Sequence, residues 1–302
     1  MKNYRSGYIT IIGKPNVGKS TLLNELLDFK LSITSPRPQT TRRKIMGIMS
    51  GEEYQLIFLD TPGIIEPKYQ LQQAMINHIR SSVADADALV YIIDVSSLRS
   101  LDDTHQFDAD VELLIKANTE NKPVLLVLNK IDLIEIASLL PIIEKYTNRY
   151  NFEKTIPVSA LKRNGLDELR EELIELLPVH PPYYDPEIIT EQPERFFVAE
   201  LIREQIFHFF KQEIPYATEV QIEEFKERER GKDLIRAVIY TERDTQKAIL
   251  IGKKGSALKK IGQGARNQIE KFLEREVYLD LRVKVRKDWR RDDMQIKRFG
   301  YS

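Results

Sequence analysis

The chain contains no cysteine. That absence excludes disulfides, thiolate zinc sites and a cysteine nucleophile together, and it allows a reducing compartment. Histidine is scarce: His78, His105, His180 and His208 lie far apart, and none pairs with another at metal-ligand spacing. No apolar run approaches the roughly 18 residues of a membrane span, and no basic segment leads an apolar one at the start, so a cytoplasmic protein is expected. Tryptophan occurs once, at Trp289. Net charge is missing too, yet the formal zero hides an asymmetry. Residues 1–225 carry 24 Lys+Arg against 34 Asp+Glu, and residues 226–302 carry 22 against 12. A basic final quarter on an acidic body predicts a polyanionic partner. At 302 residues the chain suits two domains.

The densest signal is Gly13-Lys14-Pro15-Asn16-Val17-Gly18-Lys19-Ser20-Thr21. It matches G-x-x-x-x-G-K-[ST], follows the apolar run Tyr8 to Ile12 and opens a helix-like segment from Thr21 to Leu27, which is the context a phosphate-binding loop requires. The glycines let backbone N–H groups close on anionic oxygens, and the helix adds its positive end. Lys19 is expected to reach the β- and γ-phosphates and the Ser20 hydroxyl to sit on Mg²⁺.

Phe29 to Arg43 is polar, carries Pro36 and Pro38, shows no period and predicts a mobile loop. A threonine near its end, Thr40 or Thr41, could complete Mg²⁺ coordination when a γ-phosphate is present, making the loop a switch. Lys44 to Ser50 and Tyr54 to Leu59 predict an antiparallel hairpin. It ends in Asp60-Thr61-Pro62-Gly63, where Asp60 could hold Mg²⁺ through water and the Gly63 N–H could bond the γ-phosphate. Farther on, Leu71 to Val83 predicts a helix, Ala88 to Asp94 a strand buried on both faces, Val111 to Lys116 a helix and Val124 to Leu128 a strand. Asp102 and Asp103, in the polar stretch between, read as loop or cap residues.

Asn129-Lys130-Ile131-Asp132 supplies base specificity. A carboxylate only accepts hydrogen bonds, and guanine offers two adjacent donors, so Asp132 would read that base and reject adenine. Asn129 would tie the loops together, and Lys130 would lay its stem along the base. A helix over Ile136 to Tyr146 and a strand over Thr155 to Val158 lead to Ser159-Ala160-Leu161, whose backbone N–H groups could bond the guanine carbonyl. Leu166 to Leu177 closes this half as a helix with one leucine face. The alternation predicts an α/β fold, a P-loop G domain with a mostly parallel sheet and helices on both faces, over residues 1–178.

Residues 179–195 read as a proline-rich, semi-rigid linker. Residues 196–302 read as a second, α+β domain. Phe196 to Phe210 predicts an amphipathic helix with Val198, Leu201, Ile202, Gln205 and Phe209 on one side. Tyr216 to Phe225, Leu234 to Tyr240 and Val277 to Val285 predict strands. Between the last two, Ile251-Gly252-Lys253-Lys254-Gly255 with Lys259, Lys260 and Arg266 looks like the G-x-x-G loop and helix of a KH domain, where close backbone approach, basic side chains and an apolar groove accept about four unpaired bases. Trp289 among Arg286, Lys287, Arg290 and Arg291 predicts a basic tail carrying one stacking residue.

With its GKPNVGKS, QTTRR, DTPG, NKID and SAL segments joined to the proline linker and IGKKGSALKKIGQGAR, the chain resembles the Era family of bacterial GTPases over nearly its whole length. The resemblance implies a KH domain of the bacterial topology, GTP and GDP with Mg²⁺ as ligands, and binding to small-subunit ribosomal RNA near its 3′ end during assembly of the small ribosomal subunit. It is expected to act as a monomer, in the cytoplasm or peripherally at the inner membrane. Docking of the basic domain on a membrane surface or a protein is the alternative to RNA. Many GTPases carry a water-orienting glutamine after D-x-x-G, and Ile64 stands there instead. Related GTPases with an asparagine at the place of Asn16 can use potassium, so K⁺ joins the expected cofactors.

Overall fold

Apolar runs with β-branched residues make the strands, and leucine-rich segments of longer period make the helices that cover them. The computed structural model describes residues 4–35, 37–98 and 104–301. Pro36, Asp102 and Asp103 lie outside them. Two compact units result, the first made of Met1–Ser32, Thr41–Glu66 and Met75–Glu191, the second of Ile33–Thr40, Pro67–Ala74 and Gln192–Ser302.

In the first unit, strands β1 (Arg5–Ile12), β2 (Ile45–Ser50), β3 (Tyr54–Asp60), β4 (Ala88–Asp94), β5 (Val124–Asn129) and β6 (Lys154–Val158) form a sheet in the order β2-β3-β1-β4-β5-β6. Only β2 runs antiparallel, paired with β3 from Ile45 opposite Asp60 to Ser50 opposite Gln55. That is the expected hairpin. Helices α1 (Lys19–Leu27), α2 (Gln70–Asp85), α3 (Thr104–Ala117), α4 (Leu139–Thr147) and α5 (Leu166–Leu176) accompany the sheet. Every residue of β5 is buried, as a strand covered on both faces requires. Tyr91, Ile93, Leu126 and Leu128 pack with Phe107, Val111 and Leu114 of α3 and Ile142 and Tyr146 of α4. β1 pairs with β3 on one side and β4 on the other, so the strand order reverses at its carboxyl end, where α/β sheets bind ligands.

Two helices differ from expectation. α4 begins three residues later than Ile136, after a single tight turn, because Pro141 is tolerated only in a helix's first turn. α3 begins seven residues earlier than expected, because a buried acid, Asp110, interrupts the apolar spacing of its inner face.

The proline-rich segment lies along the first unit as far as residue 191. Gln55 Oε1 accepts from the Tyr183 and Tyr184 N–H groups at 2.8 and 2.9 Å, and the Ile48 N–H donates to the Ile189 carbonyl at 2.7 Å, covering the edge strand β2.

In the second unit, α6 (Glu194–Phe209) and the single turn α7 (Ile214–Ala217) precede β7 (Glu219–Lys226) and β8 (Asp233–Thr241). α8 (Asp244–Ile251), α9 (Ser256–Leu273), β9 (Val277–Val285) and α10 (Asp293–Arg298) follow. The sheet runs β7-β8-β9, antiparallel and then parallel, the bacterial arrangement of a KH domain. Ile202 and Ile206 of α6 meet Ile261, Ala265 and Ile269 of α9 in its core.

Three expectations are corrected in this unit. Residues 216–218 are not strand, because Pro215 starts a helical turn there. α6 is buried nearly all round rather than amphipathic: Arg203 is ion-paired with Glu200, and Glu204 Oε1 accepts the Thr34 N–H at 3.1 Å. Phe209, at the helix end, is 49% exposed. Finally, Trp289 is fully buried, its indole N–H donating to the Ala217 carbonyl at 3.0 Å and its ring meeting Phe299 edge-on. An enclosed ring cannot stack on a base.

Candidate nucleotide site and nucleic-acid interface

The loop Gly13–Gly18 joins the carboxyl end of β1 to the first turn of α1, so its direction is fixed by a buried strand and an anchored helix. Gly18 has φ 104°, and a Cβ there would fall 2.2 Å from Asn129 Nδ2, so no other residue fits. The loop is braced from two sides. Asn129 Nδ2 donates to the Val17 carbonyl at 2.8 Å, and Lys130 Nζ to the Asn16 carbonyl at 3.0 Å. Lys14 Nζ meets Asp110 Oδ1 at 2.5 Å.

Lys19 is buried, with its ammonium on the Gly13 and Lys14 carbonyls at 3.1 and 2.9 Å. Burial lowers its pKa to about 8, against the pull of Asp60. A polyphosphate would supply the anionic partner that these two carbonyls only replace.

Asp60 closes β3 at the same end of the sheet. Its Oδ2 accepts from Ser32 at 2.7 Å, Ser20 at 3.1 Å and Thr41 at 3.3 Å, and Ser20 and Thr41 are 2.9 Å apart. Its Oδ1 is buried with no partner in the protein, and burial raises its pKa despite the three hydroxyls. An orphaned carboxylate oxygen beside two hydroxyls is a set of hard oxygen donors, and it fits Mg²⁺. Of the two candidate threonines, Thr41 is brought to this cluster. Thr40 points elsewhere: its hydroxyl donates to the Arg37 carbonyl at 3.3 Å, and its own carbonyl accepts from Arg203. Ser32, Asp94 and Asp110 belong to the site without having been singled out in the sequence. Asp94, which pairs with Lys130 at 2.5 Å, carried a signal, since it ends a buried strand as Asp60 does.

Gly63 lies against the phosphate loop. A Cβ there would fall 2.8 Å from Pro15, and the following Ile64 N–H donates to the Gly13 carbonyl at 3.1 Å. The Ile64 side chain is partly buried and packs against the apolar core. Among the residues expected to read the base, Asp132 is exposed, with Oδ1 accepting from Ser159 at 2.6 Å. The Ser159 N–H goes to the Asn164 carbonyl at 3.0 Å, and the Ala160 N–H to Asn129 Oδ1 at 3.0 Å. Leu161 is exposed. Thr21 follows Ser20 on α1.

In the second unit, α8 ends at Gly252, with φ 73°, and Lys254 and Gly255 continue the turn with φ 51° and 78°. Lys253 and Lys254 stand exposed at the tip of the turn, while Ile251 and Gly252 are half-buried. An open groove of about 710 Å³ runs from the turn along α9 to β9, lined by Gly255, Leu258, Lys259, Arg266, Leu279 and Leu281 among others. Lys260 is exposed one position away from that lining. A cationic rim on an apolar trough suits unpaired bases and their phosphates.

Residues 8–130 match the family described as 50S ribosome-binding GTPase, and residues 213–290 match the KH domain family. The chain is 43% identical to the GTPase Era of Carboxydothermus hydrogenoformans, with 99% of each chain covered. It is 44% identical to that of Geotalea uraniireducens, with 100% of this chain and 99% of the other covered. Two solved structures, each 39% identical and covering 99% of both chains, are similar throughout. They are a single-residue variant of Aquifex aeolicus Era bound to GDP.AlF4⁻, TM-score 0.90, and Era in complex with MgGDPNP and nucleotides 1506–1542 of 16S ribosomal RNA, TM-score 0.91.

Proposed function

The chain belongs to the Era family of GTPases, and from that premise we propose that it is a GTP-hydrolysing switch whose KH domain binds small-subunit ribosomal RNA near the 3′ end and serves small-subunit assembly, as a cytoplasmic monomer. Residues 1–178 make the G domain in this proposal, 179–195 the connection and 196–302 the RNA-binding domain. The observation that carries it is the Asp60 cluster. Asp60 holds the Ser20 and Thr41 hydroxyls on one carboxylate oxygen and leaves the other unpaired, with a buried lysine held on carbonyls of the phosphate loop and, at the same carboxyl end of the sheet, Asp132 as the expected guanine-reading carboxylate.

Each residue then has a task. Asp132 accepts both donors of guanine, and Asn129 holds the phosphate loop and the Ala160 turn in register. Lys19 leaves its two carbonyls for the β- and γ-phosphates, where charge builds during transfer. Ser20, Thr41 and Asp60 would hold Mg²⁺, which when bound would neutralise charge on the phosphate oxygens. Gly63 lets the chain approach the γ-phosphate. Ile64, packed into the core, cannot orient water, so unassisted hydrolysis is slow. Asn16 is the residue that would hold K⁺, which would supply part of the missing charge, and turnover is therefore expected to be faster in potassium than in sodium at equal ionic strength, with Asn16→Ala removing the difference. Equal rates in the two salts would remove potassium from the mechanism.

Titration of a fluorescent RNA carrying the small-subunit 3′ end, with an unrelated RNA and anionic vesicles as controls across a salt series, tests the partner. Preference for the 3′-end RNA supports the proposal. Tighter binding to vesicles than to either RNA would place the KH surface on a membrane instead. No helix among the described residues is long and apolar enough to cross one.

A further inference from the structure

Asp110 is a buried carboxylate that the mechanism above does not use. It sits on the inner face of α3, where apolar residues are expected, and both oxygens are engaged. Oδ2 accepts from the Tyr146 hydroxyl at 2.7 Å, and Oδ1 meets Lys14 Nζ at 2.5 Å. The main chain at the same residue is fixed as well, because the Tyr91 hydroxyl donates to the Asp110 carbonyl at 2.7 Å. Burial raises the pKa of both tyrosines, with Asp110 adding to the effect, so both remain donors. A charge held so firmly in a core is costly unless it is paired, and Lys14 provides the pairing.

Lys14 is unusual in facing two ways. Its ammonium goes to Asp110, and its carbonyl accepts Lys19 Nζ at 2.9 Å. Behind it, a cavity of about 120 Å³ lies between the phosphate loop, the end of β4 and α3, lined by Lys14, Val17, Tyr91, Asp94 and Asp110 among others. Beside this cavity, the Lys14–Asp110 ion pair ties the loop to α3 as a strut. We propose that Asp110 is a positioning residue for GTP hydrolysis: by holding the Lys14 side chain it sets the Lys14 main chain, and through it the place from which Lys19 reaches the phosphates. The proposal rests on the GTPase function stated above, and it concerns the rate of the chemical step rather than the choice of nucleotide.

The test compares Asp110→Asn, Lys14→Met and the double variant in steady-state GTP hydrolysis by the full chain, with GDP affinity measured alongside. Lys14→Met removes the strut from its half-exposed end but leaves the Asp110 carboxylate without its cation, whereas the double variant removes both charges together, so a folded double variant decides the matter even if either single variant fails to fold. Lys19 acts mainly on charge that develops in the transition state. Each single variant should therefore lower kcat about tenfold while KM for GTP stays within about twofold, and the double variant should lose no more than the worse single. An unchanged kcat in Lys14→Met, losses that multiply in the double variant, or a rise in KM alone would each overturn the proposal. Failure of GTP binding in the unaltered chain would instead count against the GTPase reading on which it rests.

Discussion

At the scale of single residues, the nucleotide site is a set of polar groups whose partners are either fully supplied by the protein or conspicuously missing. Asp60 Oδ1 is missing one, and Lys19 has only carbonyls. In the proposed function Asp132 reads the base, since its carboxylate can accept from both guanine donors and the Ser159 hydroxyl holds it in place. Asp132→Asn should lower GTP affinity on the order of 10⁴-fold and favour xanthosine triphosphate, because an amide can donate to the carbonyl that xanthine has where guanine has an amine. Competition binding with the two nucleotides measures this, and undiminished GTP affinity would take the base-reading role from Asp132. Lys19, Ser20, Asp60, Asn129 and Asp132 were legible in the sequence because each stands in a short motif at the end of an apolar strand. Ser32 and Asp110 were not, because their roles come from partners distant in the sequence and no local spacing encodes such a meeting; Asp94 carried only the weaker signal of ending a buried strand.

At the scale of elements, strands were read more securely than helix ends. β4 and β9 run over the expected residues, since a buried strand is a continuous or alternating apolar run with sharp limits. Helix ends depended on single residues, such as Pro141 and Pro215. Trp289 shows how composition misleads: four basic neighbours made it look like a stacking residue, yet it fills the end of the C-terminal core with its N–H satisfied. Trp289→Ala should lower stability by about 3–5 kcal/mol in denaturant titration, while the folded fraction keeps its affinity for RNA. Loss of RNA affinity with stability intact would return the ring to the binding surface.

At the scale of the whole molecule, the acidic first three quarters and the basic last quarter correspond to two chemistries, phosphate transfer and polyanion binding. Replacing Lys253 and Lys254 by aspartate at the exposed G-x-x-G turn should weaken RNA binding and reduce its salt dependence by about 0.7 per lost phosphate contact, leaving GTP hydrolysis by the free protein unchanged. Salt-series titrations and a phosphate-release assay check both halves, and RNA affinity unaltered by the double substitution would move the interface off the turn. By itself, the sequence determined the main strands and helices, the α/β G domain followed by a KH domain, the phosphate loop and the basic G-x-x-G turn, and it pointed to Asp132, because these rest on backbone requirements and side-chain chemistry expressed within a few consecutive residues. Only the tertiary structure decided which threonine meets Ser20 and Asp60, that Trp289 is core, and that Asp110 reaches the phosphate loop. Those outcomes depend on packing between segments far apart in the chain, where burial and the need to satisfy every enclosed polar group select one partner among many.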